Sequence, residues 1–149
     1  MFIRFRNIAA AAMLVVPALA SAAMPVIEVF KSATCGCCED WVKHLKANGL
    51  TVKVSDVADP SAYRQKLGIP ADLGSCHSAK IGNYAIEGHV PASDIKRLLG
   101  SGLKVRGLAV PGMPAGSPGM EGGRSDPYDV LLVQSDGRTA VYKHYSAKN

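Results

Sequence analysis

This chain of 149 residues lacks the sequence signatures of the common hydrolases and kinases. It contains no recognisable Ser-His-Asp arrangement, no glycine-rich phosphate-binding loop and no pair of carboxylates placed for acid–base catalysis. It also has no internal repeat of useful period. The sequence therefore gives no support to a hydrolase or a kinase.

Basic patches are also missing. The chain has 17 basic and 12 acidic residues, and leaving out Arg4 and Arg6 of the N-terminal segment lowers the net charge from +5 to +3. The other lysines and arginines are scattered singly, without aromatic residues between them. Because nucleic-acid-binding proteins carry a basic stripe or patch, we expect no nucleic-acid partner.

Only one apolar run is long, and it is too short to cross a bilayer. Two arginines precede the run Ile8–Val16, and Pro17 and two overlapping Ala-x-Ala sites follow it. This order is typical of a secretory signal peptide, so we predict that residues 1–22 are removed, with cleavage near residues 20–22. No cysteine at the cleavage site could carry a lipid, so we expect an exported, periplasmic protein without a membrane anchor.

The four cysteines are concentrated in a way that two structural disulfides do not explain. In an exported chain such disulfides are the default expectation. Here Cys35, Cys37 and Cys38 fall within four residues, where a bridge would close a negligible loop and hardly constrain the unfolded chain. A mature chain of this length can also bury a core without them. We therefore predict a functional cysteine cluster.

The cluster lies between a predicted strand, Val26–Phe30, and a predicted helix, Glu39–Ala47. Free N–H groups and the positive end of the helix dipole stabilise anions at such a turn, so thiols there ionise readily. The helical spacing places Cys38 on the apolar face of Trp41, so Cys38 should be the most buried of the three.

The rest of the chain alternates strands and helices, followed by an irregular segment. Leu108–Gly123 holds three prolines, five glycines and two methionines, and is predicted to be a functional or mobile loop. The other predicted elements are a strand at Leu50–Val57, a helix from Asp59 to Gly68, a hairpin at Ser78–Ile81 and Tyr84–Ile86, a helix at Ala92–Leu99 and a last hairpin at Asp129–Gln134 and Thr139–Tyr145.

This order predicts an α/β, thioredoxin-like βαβ–α–ββ–α domain with an added Pro/Gly/Met loop and a C-terminal β-hairpin. Residues 23–149 would form this single metal-binding domain. A ferredoxin-like βαββαβ metal carrier is the rival fold. The hairpin after the second helix favours the thioredoxin-like order.

Two kinds of chemistry fit the cysteines. Cys35 and Cys38 form a C-x-x-C, which in a βαβ setting indicates dithiol redox chemistry. A third thiol, Cys37, would invite scrambling in a dithiol exchanger. Cys76 precedes the strand that faces the C-x-x-C in thioredoxin-like domains, so it could join the other three. Four thiolates would suit Cu(I), Zn(II) or an iron–sulfur cluster.

Weaker candidate ligands accompany the cysteines. They are His77, His89, Met113 and Met120. Two other histidines carry no such indication: His44 is predicted to be a surface residue, and His144 alternates along the last strand.

The joint motifs resemble the CopG family of exported copper-resistance proteins, formerly catalogued as a domain of unknown function. The resemblance runs from Pro25 to about Tyr145 and rests on Val29–Cys38 (VFKSATCGCC), Ser75-Cys76-His77, Glu87–Pro91 (EGHVP) and Gly107–Pro114 (GLAVPGMP). It implies a thioredoxin-like fold and copper binding through the clustered cysteines.

We therefore predict a periplasmic copper-binding protein of copper resistance or homeostasis. It would hold Cu(I), in one or more ions, through Cys35, Cys37, Cys38 and Cys76. Other periplasmic copper-handling proteins would be its partners. The first alternative is a thiol–disulfide oxidoreductase using the Cys35/Cys38 pair, and the second is a disulfide-stapled module without metal. Whether the protein is an enzyme stays open, because copper redox cycling at thiolates would make it one.

The signal-peptide prediction has a direct test. The mature protein should begin near Ser21 or Ala23, because small residues occupy the required positions before both. Intact-mass measurement of the protein from the exported fraction checks this. Retention of Met1 would overturn the predicted compartment.

Overall fold

The computed structural model describes residues 24–147, so the predicted signal segment lies outside the described residues. The elements are β1 (Ile27–Lys31), α1 (Gly36–Ala47), β2 (Val52–Asp56), α2 (Pro60–Lys66), a 3-10 turn (Ala71–Leu73), β3 (His77–Ile81), β4 (Tyr84–Glu87), α3 (Ala92–Ser101), β5 (Gly107–Ala109), β6 (Tyr128–Val133) and β7 (Thr139–Tyr145). Over residues 24–147, no helix is long and apolar enough to cross a membrane.

The strands form one seven-stranded sheet in the order β2-β1-β3-β4-β5-β6-β7. The pairs β1/β2 and β4/β5 are parallel, and the other neighbours are antiparallel. The βαβ unit, the following helix, the hairpin and the third helix appear in the predicted order. The thioredoxin-like α/β class is therefore confirmed, with a C-terminal addition.

One strand was missed. Gly107–Ala109 lies at the start of the segment predicted to be irregular, but it forms β5 and pairs in parallel with β4. Three residues buried on both faces show no period that a sequence pattern could reveal. Because β5 also pairs with β6, the C-terminal hairpin continues the sheet. The irregular loop begins only after β5 and connects it to β6.

Two helix boundaries also differ from the prediction. Helix α1 begins at Gly36 instead of Glu39, so Cys35 is the N-cap and Cys37 and Cys38 lie in the first turn. Helix α3 extends to Ser101, two residues beyond the predicted end, because the chain stops in the left-handed conformation at Gly102.

Apolar residues cover both faces of the sheet. The larger cluster joins α1 and α3 to one face, with Trp41 fully buried at its centre. Alternate residues of a strand point to opposite faces, so Phe30 faces away from this cluster and its ring stacks on Tyr63 of α2 at 4.2 Å. The cysteine turn, Cys35–Cys38, follows the end of β1 and forms the start of α1.

The segment before β3 is held by a buried carboxylate. Glu87 of β4 is fully buried, and its two oxygens accept hydrogen bonds from the Ser75 N–H (2.8 Å) and the Ser78 hydroxyl (2.6 Å). Arg64 of α2 lies 3.7 Å away, and its charge partly offsets the effect of burial, which raises the pKa of Glu87. Glu87 thereby fixes the backbone on either side of Cys76.

Removing this carboxylate should loosen that segment. We expect Glu87→Ala to lower the free energy of unfolding by about 3 kcal/mol, because two buried donors lose their acceptor. Glu28→Ala, on the exposed side of β1, is the matched control and should cost less than about 0.5 kcal/mol. Urea unfolding of the metal-free proteins measures both. Equal losses in the two variants would contradict the positioning role of Glu87.

Candidate metal centre

The cysteine turn presents three sulfur atoms at the start of α1. Cys35 and Cys37 are half-buried, whereas Cys38 is completely buried on the face that carries Trp41. This confirms the burial order predicted from the helical spacing.

A buried lysine that sequence reasoning missed fixes the turn. Lys31 ends β1 at 1 % exposure, and its Nζ lies 2.5 Å from Glu39 of α1 and 2.9 Å from Asp56 of β2. The ion pair with Glu39 is the main cause of its raised pKa. The Ser32 carbonyl accepts hydrogen bonds from both Lys31 Nζ (3.2 Å) and the Cys35 N–H (3.1 Å). In the sequence, the only sign of this buried lysine is that Lys31 continues the alternation of Ile27 and Val29 along β1.

The structure brings all four cysteines together. Cys35 and Cys38 form a disulfide, and Cys37 and Cys76 are free thiols. Cys37 Sγ lies 3.5 Å from Cys35 Sγ and 3.8 Å from Cys76 Sγ. Cys76 Sγ lies 3.4 Å from Cys38 Sγ. All four sulfur atoms lie within 4.8 Å of one another, as the placement of Cys76 opposite the C-x-x-C predicted.

Two buried imidazoles face Cys76 from the other side. His77 Nδ1 lies 3.3 Å and His89 Nε2 3.2 Å from Cys76 Sγ. His89 Nδ1 donates to the Pro118 carbonyl at 2.8 Å, which leaves the Nε2 lone pair directed at the sulfur. A histidine held in this way needs no rearrangement to bind a metal ion. Cys76, His77 and His89 thus form a second possible ligand group that shares Cys76 with the first.

Burial sets the protonation of Cys76, His77 and His89, which form the inner ligand group. It lowers the pKa of His89, and, together with the nearby His89 ring, it lowers the pKa of His77 to about 3. Both rings are therefore neutral at neutral pH, the form that binds metals. Burial, and then the neighbouring Cys37, raises the pKa of Cys76 to about 12, so without a metal this group is a thiol. A soft cation that displaces the proton would remove the cost of a bare buried thiolate.

His77 has a further feature. Its ring lies against the Trp41 indole, with 4.3 Å between the centroids, and its Nε2 is buried without a hydrogen-bond partner. An N–H at Nε2 would be an orphaned donor, so the geometry favours a proton on Nδ1, which faces the Cys76 sulfur.

The Pro/Gly/Met loop packs over the start of α1. At Gly119, where φ is +85°, a Cβ would come within 2.6 Å of the Cys37 carbonyl oxygen, so only glycine permits this approach. On the other side of the site, the Ser75 hydroxyl donates to the Gly112 carbonyl at 2.5 Å. The adjacent methionines differ in exposure: Met113 is 51 % exposed and Met120 is half-buried. Their role as ligands stays a prediction.

The two remaining histidines lie outside this cluster. His144 is exposed on β7, with its Nδ1 2.7 Å from Asp129. The prediction that His44 is a surface residue is wrong. His44 is half-buried, and its Nε2 accepts the Ala92 N–H at 3.1 Å, which satisfies a free donor at the start of α3. The partner belongs to a helix 48 residues further along the chain, so the sequence carried no sign of this contact.

These donors fit a soft metal ion. Thiolate sulfur and neutral imidazole nitrogen are ligands of Cu(I) and Zn(II), whereas Ca²⁺ and Mg²⁺ prefer oxygen. Two of the four sulfur atoms are joined in the disulfide, so the full set is available only after reduction.

Comparison with known proteins supports the relation to copper. A family described as "Protein of unknown function, DUF411" matches residues 73–120. No curated protein matches the chain in sequence. A solved structure named "Copper resistance protein copG- Form 1" is 46 % identical, has a TM-score of 0.78, and covers 83 % of this chain and 99 % of its own. A second structure, named "Copper resistance protein copG- Form 2", is 47 % identical with a TM-score of 0.79 and the same coverage. The chain belongs to the CopG family of copper resistance proteins.

Proposed function

We propose that this protein binds Cu(I) in the periplasm as part of copper resistance or homeostasis. The observation that carries the proposal is the position of Cys76 Sγ, which lies between the cysteine turn on one side and two neutral imidazoles on the other. The names of the two similar structures point to the same metal.

The chemistry of the donors favours the monovalent ion. Cu(I) prefers thiolate to oxygen ligands, and a thiolate can bridge two such ions. The distances between sulfur atoms that are not joined in the disulfide are 3.4–3.8 Å, so each sulfur has more than one sulfur neighbour. We therefore propose that the reduced site holds more than one Cu(I), with Cys35, Cys37, Cys38 and Cys76 as the main ligands.

The histidines and methionines would complete the site. His89 is already oriented by Pro118 to offer its Nε2, whereas His77 faces Cys76 with a protonated Nδ1 and would bind a metal there only after losing that proton. Met113 and Met120 follow Gly112, which accepts the Ser75 hydroxyl, and Gly119, which packs close to the Cys37 carbonyl, and their thioethers are suitable for Cu(I).

The compartment and the partners are proposed from the predicted signal peptide. A cleaved signal peptide would place the protein in the periplasm, where other copper-handling proteins would deliver or accept the ion. Cu(I) at thiolates can also change oxidation state, so a copper oxidoreductase activity is compatible with the site.

A thiol–disulfide oxidoreductase is the second candidate function. The Cys35–Cys38 disulfide at the start of α1 is the observation in its favour. The two additional thiols beside it are the observation against it, since an exchanger needs only one attacking and one resolving thiol.

Copper capacity tests the proposal. Under anaerobic conditions, reduced Cys76→Ser protein should retain at most about half of the parent's Cu(I) per chain, because Cys76 belongs to both ligand groups. Metal analysis after desalting measures this, and far-UV circular dichroism should show an unchanged fold. His144→Ala, away from the cluster, is the control and should retain full capacity. Equal capacity in Cys76→Ser and the parent would make Cys76 a packing residue.

Thermal melting separates the two candidate functions. At a free Cu(I) concentration about 1,000 times Kd, binding stabilises the fold by about 4 kcal/mol. This should raise the Tm of a domain of this size by roughly 15 °C. Insulin reduction by the same protein should be slow. Fast reductase turnover without a copper-linked shift would favour the oxidoreductase instead.

A further inference from the structure

One peptide unit of the Pro/Gly/Met loop, the unit that joins Pro118 to Gly119, is held by hydrogen bonds on both sides. Its carbonyl oxygen accepts the His89 Nδ1–H at 2.8 Å, and its N–H donates to a carboxylate oxygen of Glu121 at 2.7 Å. The peptide is trans, so it is planar and its carbonyl and N–H point in opposite directions. Because Glu121 holds the N–H, it also directs the carbonyl toward His89.

The same peptide unit packs on the first turn of α1. A Cβ on Gly119 would lie 2.6 Å from the Cys37 carbonyl oxygen and 2.7 Å from the Trp41 backbone nitrogen, the two atoms that pair within the helix. Both atoms belong to the backbone of a helix anchored by the fully buried Trp41, so neither can move aside at low cost. This contact therefore sets the distance between the loop and α1, and it requires glycine.

The loop around this unit is braced by its own hydrogen bonds. The Gly116 N–H donates to the Met120 carbonyl at 2.9 Å, and the Met120 N–H donates to the carbonyl of the fully buried Ser117 at 2.8 Å. These bonds enclose Pro118 and Gly119 in a compact turn. A displacement at Gly119 is therefore carried to the Pro118 carbonyl instead of being absorbed by a rotation at a single residue.

We propose that Gly119 and Glu121 are positioning residues for His89. They act through the Pro118 carbonyl: Gly119 sets how far the peptide lies from α1, and Glu121 sets the direction of its carbonyl. With that carbonyl in place, the bonded Nδ1–H of His89 keeps Nε2 turned toward Cys76 Sγ, 3.2 Å away. The consequence for metal binding rests on the proposed copper function, whereas the orientation of the ring is a property of the metal-free protein.

Two glycines of the same loop provide a matched pair of substitutions. Gly119 has φ +85° and Gly123 has φ +84°, so alanine meets the same left-handed backbone at both positions. An added Cβ at Gly123 has no atom within 4 Å, in contrast to Gly119. A difference between Gly119→Ala and Gly123→Ala therefore reports the contact with α1 and not the strain of the backbone.

The first measurement uses metal-free protein and follows the exchange of the His89 Nδ1 proton with water by NMR at neutral pH. The parent and Gly123→Ala proteins should protect this proton, whereas Gly119→Ala should exchange it about tenfold faster or more, because the Pro118 carbonyl no longer stays in place. Equal protection in the two alanine variants would overturn the proposal. If Gly119→Ala does not fold, Glu121→Ala decides, because this side chain is exposed and its removal inserts no atom. Faster exchange there supports the proposal, and unchanged exchange overturns it.

The second measurement is the Cu(I) affinity of the reduced proteins, by competition with a chelator. Gly119→Ala should lower it by about tenfold to a hundredfold, the usual effect of losing a group that orients a histidine ligand. In a His89→Phe background the same substitution should have no further effect, because no ring nitrogen remains to be positioned. An equal loss in both backgrounds would mean that Gly119 acts through Cys37 and would overturn the proposal. If the parent binds no Cu(I), the copper function fails, and proton exchange alone decides the role of Gly119.

Discussion

The site depends on the placement of one half-buried sulfur atom, Cys76 Sγ. It lies within 4 Å of sulfur on two other cysteines and of nitrogen on two histidines. Burial opposes a bare thiolate at this position, as the raised pKa of Cys76 shows. The sulfur therefore has two ways to lower its free energy: it can keep its proton beside a neutral imidazole, or it can bind a soft cation. Both the proposed metal binding and the thiol chemistry of the site depend on this constraint.

The C-terminal addition takes part in the same constraint. β5 pairs with β4 and directs the following loop back over the start of α1. That loop supplies the Pro118 carbonyl to His89 and the Gly112 carbonyl to Ser75. A thioredoxin-like core alone would hold the cysteines, but His89 would have no partner for Nδ1 and could turn away from Cys76. The addition therefore completes the inner ligand group.

Local patterns predicted much of this arrangement, and long-range contacts account for what they missed. The period of the strands, the caps and the hairpin turns predicted the order of elements, and the spacing from Cys38 to Trp41 predicted which cysteine is buried. The short strand β5 carries no period, so its place in the sheet could not be read. Lys31, Glu87 and His44 act through partners that lie far along the chain or in the backbone, and single-residue patterns contain no information about such partners. The proximity of Cys76 was predictable because fold order alone placed it opposite the cysteine turn.

The disulfide and the proposed copper site compete for the same atoms. Each disulfide among the four cysteines removes two thiolates, so the number of soft ligands falls from four to two. A site built from only two cysteines would lose all its sulfur ligands on oxidation. With four, one pair stays reduced, and in the structure that pair includes Cys76 beside both neutral imidazoles. The two additional cysteines, which weaken the case for a dithiol exchanger, are therefore what would let a copper site retain soft ligands in an oxidising compartment.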